Sequence, residues 1–190
     1  MSAPASDPSG FDPPSVGPPS FDPASAADVA TVSSQLGRPA RNVVGIAARC
    51  ACGAPTVVAT APLLDDGTPF PTLYYLTHPA ATAAISALEA TGVMPELAAL
   101  LADPDIAHAY RRAHEAYLAD RESIEVVPEL AGVSAGGMPT RVKCLHALAG
   151  HALAAGPGIN PIGDLALERA AWSPAVCECR DYTSGPAADS

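Results

Sequence analysis

Three short runs rich in β-branched and aromatic residues fall between residues 43 and 77, and after Pro79 the pattern turns helical. This segregation constrains the fold more than any other feature of the chain. Val43–Arg49 is an apolar run of strand length, Pro55–Ala61 is rich in Val and Thr, and Thr72–Thr77 reads TLYYLT. The first gap is the turn-like CACGAP, and the second contains Asp65-Asp66-Gly67-Thr68-Pro69, a strong turn signal. Short strands joined by tight turns predict an antiparallel meander of three strands.

The helical remainder is punctuated by Gly and Pro. A short helix is expected over Ala27–Leu36, ended by Gly37. Ala80–Thr91 and Pro95–Ala102 are Ala/Leu-rich, with Gly92 and Pro104 as breaks. Asp105–Glu122 is a clear helix, with Asp103 placed to cap it and Pro104 at its first position. Residues 123–138 read as loop, Pro139–Ala155 as a helix ended by Gly156-Pro157-Gly158, and about Leu165–Ala171 as a last helix capped by Asp164. The class is α+β: a small antiparallel three-stranded sheet packed with about five to six helices.

Residues 1–26 hold seven prolines and no Lys or Arg. Such a stretch cannot bury enough surface to offset its ordering entropy, so it is read as a disordered tail. The expected organisation is a tail over 1–26, a single domain over 27–179 and a second disordered tail over 180–190. Within the first tail Phe11-Asp12-Pro13-Pro14-Ser15 and Phe21-Asp22-Pro23-Ala24-Ser25 form a ten-residue repeat. It is either compositional drift in a linker or a doubled docking peptide for a protein partner.

A net charge of −10 argues against nucleic acid and anionic membranes as partners. No apolar window is long enough to span a bilayer, and the start of the chain does not resemble a signal peptide. A cytoplasmic location is the expectation.

Five cysteines, Cys50, Cys52, Cys144, Cys177 and Cys179, are an odd number for a disulfide framework. Both Cys-x-Cys pairs are too tight for ordinary bridges within the pair, which leaves metal ligation or unrelated thiols. With His78 and His151, soft ligands recur in several separate segments. Four of them converging would suit Zn²⁺ or an iron–sulfur cluster.

The densest stretch is 134–164. If Pro139–Ala155 is one helix, Cys144 and His151 share an edge about 10 Å apart along the axis, while Cys144 and His146 point apart. Cys-Leu-His is then no ready nucleophile–base pair. Gly136 and Gly137 before this helix, with Arg141 and Lys143 after them, suggest an anion site for a phosphate-bearing small molecule; a plain tight turn is the alternative. Tyr110, His114, Tyr117 and Arg121 fall on one stripe of the 105–122 helix, as a packing face would. His114 and His146 are the only side chains offered for acid–base work, and His108 reads as a surface residue.

Arg49-Cys50 with Gly53 and Pro55, the run Asp66–Thr77, Ala113-His114, Lys143-Cys144-Leu145-His146, His151, Asn160-Pro161 and Gly163 together resemble the bacterial domain-of-unknown-function 501 family over about residues 34–179. The resemblance implies no established activity. Members are often encoded near enolase, a septum-formation initiator and an exopolyphosphatase-type phosphatase, which implies a phosphatase or division partner by association. It also implies a ligand list. A single cysteine at position 50 in the family pattern makes Cys52 a poor choice, and cysteine in many members at the place of His78 favours His78. The expected set is Cys50, His78, Cys144 and one of Cys177 or Cys179, with His151 in reserve. The expected protein is a structural or regulatory metal binder, its site between the strand ends and the 139–155 helix.

Overall fold

In the computed structural model, residues 21–177 and 179 are described. The sheet has the order β1-β2-β3, formed by β1 (Val43–Arg49), β2 (Pro55–Thr60) and β3 (Tyr74–Leu76), all antiparallel. The central strand β2 is buried along its whole length. Its alternation explains why: Val57 and Ala59 face the main core, and Val58 faces a smaller one with Val32 and Ile46. A helix therefore covers each face. α1 (Ala26–Leu36) lies on the Val58 side, and α5 (Leu145–Ala155) crosses the other. Around α5 pack α2 (Pro79–Ala90), α4 (Pro104–Ile124) and α6 (Pro161–Arg169), and α3 (Met94–Ala99) adds Leu97 to the same core.

The expected α+β class and three-stranded antiparallel sheet are what the chain forms, with six α-helices among the described residues. Local chemistry sets most of the boundaries. Ser25 caps α1 in a full capping box with Asp28, and Gly37 ends it at φ 64°. Asp103 caps α4 through two amides, with Pro104 at its first turn. Tyr110, Tyr117 and Arg121 on the expected α4 stripe are all buried. The Arg121 guanidinium is satisfied by the carbonyls of Leu130 and Val133, pinning the segment after α4.

Two helices differ from the expectation. The α5 helix begins at Leu145, not Pro139. Gly136 and Gly137 take φ 74° and 96°, and the amides of Lys143 and Arg141 bond back to their carbonyls. Those bonds close a loop and hold residues 139–143 out of the helix. The α6 helix begins at Pro161 rather than near Leu165, because Asn160 caps it by accepting from the Gly163 amide. Asp164, the expected cap, instead accepts from the Gly158 amide.

The assignment of 1–26 to a disordered tail also fails at its end. Asp22 exchanges two backbone bonds with Ile46 of β1, and its carboxylate meets Arg49 at 3.0 Å. Phe21 packs edge-on against Tyr74 at 6.0 Å. Gly45 is what admits the segment, since a Cβ there would sit 2.6 Å from that of Phe21. The second copy of the repeat is thus seated on the sheet, while the first lies outside the described residues.

Candidate metal centre

The turn between β1 and β2 is closed by Cys50 N–H to Ala54 and Gly53 N–H to Cys50, with Gly53 at φ 88°. Arg49, before it, donates to Gly53 and to Asp28 and Asp22. These bonds fix Cys50 and Cys52 at the outer end of the β1–β2 pair. The chain after α6 returns to the same place. Trp172 is buried there with its ring 5.3 Å from that of His78, and the Pro174 carbonyl accepts from Ala51 N–H at 2.8 Å. Cys177 and Cys179 are thereby laid beside the turn.

The result is a four-sulfur group. The Sγ atoms of Cys50, Cys52, Cys177 and Cys179 all lie within 4.8 Å of one another, and Cys52 and Cys179 are 3.3 Å apart. A tetrahedral ion with metal–sulfur bonds of about 2.3 Å spaces its sulfurs about 3.8 Å apart. The spacing of the group is therefore compatible with a single ion. Burial raises the Cys50 and Cys179 thiols above their ordinary value. Cys52 is drawn down to about 7, first by the Ala54 amide and then by the neighbouring sulfurs.

His78 touches this group from outside it. It caps α2, its Nδ1 accepting from Ala81 N–H, so the ring proton lies on Nε2. Nε2 is 3.0 Å from the Cys179 sulfur. A thiolate there receives a hydrogen bond, the arrangement by which outer partners orient and temper metal ligands. His78 thus lies at the expected place but donates to a sulfur of the group.

The other expected residues lie elsewhere. Cys144 is the N-cap residue of α5, beside His146 and Glu89 and outside the four-sulfur group. With the helix starting at Leu145, Cys144 and His146 do not point apart: the ring holds the thiol below its ordinary value, while partial burial opposes. The thiol in turn raises His146. His151 is fully buried, stacked on Tyr74 at 5.5 Å and edge-on to Tyr117 at 5.2 Å. Its Nδ1 is 3.1 Å from the Asn160 amide nitrogen, its Nε2 has no partner among the described residues, and burial lowers its pKa to about 4. It is a core residue, far from the ligand role held in reserve.

His114 is tied to Ser134 Oγ at 2.8 Å, bracing α4 against the following loop, and its burial lowers its pKa. His108 is exposed, as expected. Gly136 and Gly137 are tightly packed: a Cβ on either would clash, with Leu148 or with the Arg141 carbonyl. Arg141 and Lys143 are exposed and precede α5. The first amide of that helix, Leu145 N–H, is already taken by Glu89 Oε1 at 2.7 Å. The anion site loses the helix start on which it was argued.

Sequence reasoning passed over Cys52 and Glu89. For Cys52 the signal was present as two equal Cys-x-Cys pairs, one in a turn and one near the chain end. Glu89 has no sequence signal, since its partners lie more than 50 residues away.

Among the described residues no single helix is long and apolar enough to cross a membrane. The family described as "Protein of unknown function (DUF501)" matches the chain over residues 46–168. Neither a curated protein nor a solved structure matches it.

Proposed function

This chain belongs to the DUF501 family, and we propose that it is a metal-binding protein whose Cys50, Cys52, Cys177 and Cys179 hold one structural zinc ion. The observation that carries this reading is the convergence of four sulfurs from two segments more than 120 residues apart in the chain. Unrelated thiols have no reason to meet in one group. Four protein ligands leave no position open, which favours a structural over a catalytic ion. The close spacing of the sulfurs favours one ion over a multi-iron cluster, whose metals spread their cysteines further. Four thiolates around a dication carry a net charge of −2, and the His78 N–H offsets part of it at Cys179.

The ion would join the C-terminal segment to the β1–β2 turn. A role in holding shape, or in regulation through metal loss or thiol oxidation, follows from that position. Metal analysis of anaerobically purified protein tests the reading. One zinc ion per chain is expected to disappear in Cys52→Ser, with a lowered melting temperature. Equal zinc content in the native protein and in Cys52→Ser would overturn it.

A further inference from the structure

Glu89 near the end of α2, Cys144 at the N-cap of α5 and His146 in its first turn form a second group of side chains. Each offers one ligand atom, and these atoms lie within 4.8 Å of one another. A carboxylate, a thiolate and an imidazole are a mixed hard–soft set, which suits zinc among common cations.

The surrounding hydrogen bonds determine what belongs between the three. His146 Nε2 lies 3.3 Å from the Thr82 carbonyl and 3.1 Å from Ser86 Oγ. A carbonyl only accepts, so Nε2 carries a proton, and in the neutral ring Nδ1 presents a lone pair. That Nδ1 sits 3.4 Å from Glu89 Oε2, an atom that also only accepts when ionised. With the Cys144 sulfur, three ligand atoms converge on one point. When the ring is neutral and Glu89 and Cys144 are both ionised, these atoms repel one another unless a cation stands between them; the competing arrangement is a proton on His146 Nδ1, donated to Glu89 or Cys144.

The supporting contacts match those of a prepared site. Glu89 Oε1 is fixed by Leu145 N–H, and the far side of the His146 ring is fixed by Thr82 and Ser86. This leaves Oε2 and Nδ1 directed inward, as outer partners do for metal ligands. Zinc bonds of about 2.0–2.3 Å would draw the three atoms to about 3.3–3.6 Å apart, a contraction of about 1.5 Å at most. One thiolate and one carboxylate neutralise a dication, so the half-buried complex would carry no net charge.

We propose that Glu89, Cys144 and His146 form a second zinc site, separate from the four-cysteine centre, with one coordination position open to water. No fourth His, Cys, Asp or Glu joins the group among the described residues. The Glu89 and His146 side chains are 29% and 26% exposed, so solvent reaches the group. Three protein ligands and an exchangeable water are the arrangement through which zinc binds small anionic ligands or activates water.

The test is zinc titration of the full, reduced chain against a chromophoric chelator. Two ions per chain are expected. Glu89→Gln keeps an oxygen for Leu145 N–H while removing the charge, and should weaken one ion at least tenfold; Cys144→Ser should do the same. Neither should disturb the ion lost in Cys52→Ser, so failure of one site is distinguishable from failure of the other. Zinc should also slow alkylation of Cys144 at least tenfold, read by mass spectrometry. A single ion per chain that survives Glu89→Gln would overturn the proposal. So would alkylation of Cys144 at the same rate with and without zinc, which would mark it as a thiolate paired with a protonated His146.

Discussion

His151 is the residue whose environment has the clearest measurable consequence. It is enclosed by Tyr74, Tyr117 and Asn160, and its pKa falls to about 4 from 6.5 because burial disfavours the charged ring. As pH drops, the unfolded chain takes up this proton before the folded one does. The stability contributed by the neutral ring is therefore complete above about pH 6.5 and is lost progressively toward pH 4, by about 3 kcal/mol in all. In metal-free protein, where acid release of zinc cannot contribute, His151→Gln should flatten this slope while leaving an acceptor for Asn160. Denaturant unfolding of both forms between pH 7 and pH 4 measures it; an unchanged slope would show that another group dominates. The same residue shows why candidate ligands were only partly legible. A histidine in a Gly/Ala-rich helix has the same signature whether it faces a metal or an aromatic core. Only the fold decides, by bringing Tyr74 and Tyr117 over its ring.

At the scale of elements, the β1 bounds and the α4 cap were legible because each is marked by local chemistry: a run of strand residues, or Asp103 followed by Pro104. The start of α5 was not. Pro139 looked like a helix opening, but the Gly136–Lys143 loop bonds to itself, and Glu89 from α2 supplies the acceptor at the true start. That displacement reversed the geometry inferred for Cys144 and His146. The four-cysteine group was half legible for a related reason. Its pairs were visible, but the docking of Trp172 and Pro174 that unites them is a long-range contact. Close helix packing yields a further expectation. A Cβ on Gly163 would stand 2.2 Å from the Leu148 carbonyl oxygen, a backbone atom that cannot swing aside. Gly163→Ala should separate α6 from α5 and cost about 3 kcal/mol, at the upper end of overpacking. Denaturant midpoints give the value, and a loss under about 1 kcal/mol would mean the helices slide freely.

For the whole molecule, the four sulfurs come from the first hairpin and the last described residues, so an ion held by them would close a loop of more than 100 residues. Cross-links of that span stabilise by about 4–5 kcal/mol in the chain-entropy picture. Chelation should then lower stability by a comparable amount. It should also expose the segment 172–179 to proteases ahead of the helical core, because its other anchors among the described residues are few: the Trp172 side chain, the Ala51–Pro174 bond and the His78–Cys179 contact. Limited proteolysis with mass mapping reads this directly. Equal cleavage patterns with and without chelator would show that those anchors suffice.

The order in which the ligands are synthesised gives this centre another property. Cys50 and Cys52 emerge early and Cys177 and Cys179 last, so a chain stopped anywhere before Cys177 carries half a site. Two sulfurs hold zinc far more weakly than four. Tight metal binding would therefore report that translation has passed Cys179 and that the Cys179 segment has met the β1–β2 turn. Loading the ion would be the closing step of maturation, and an empty centre would mark an unfinished copy.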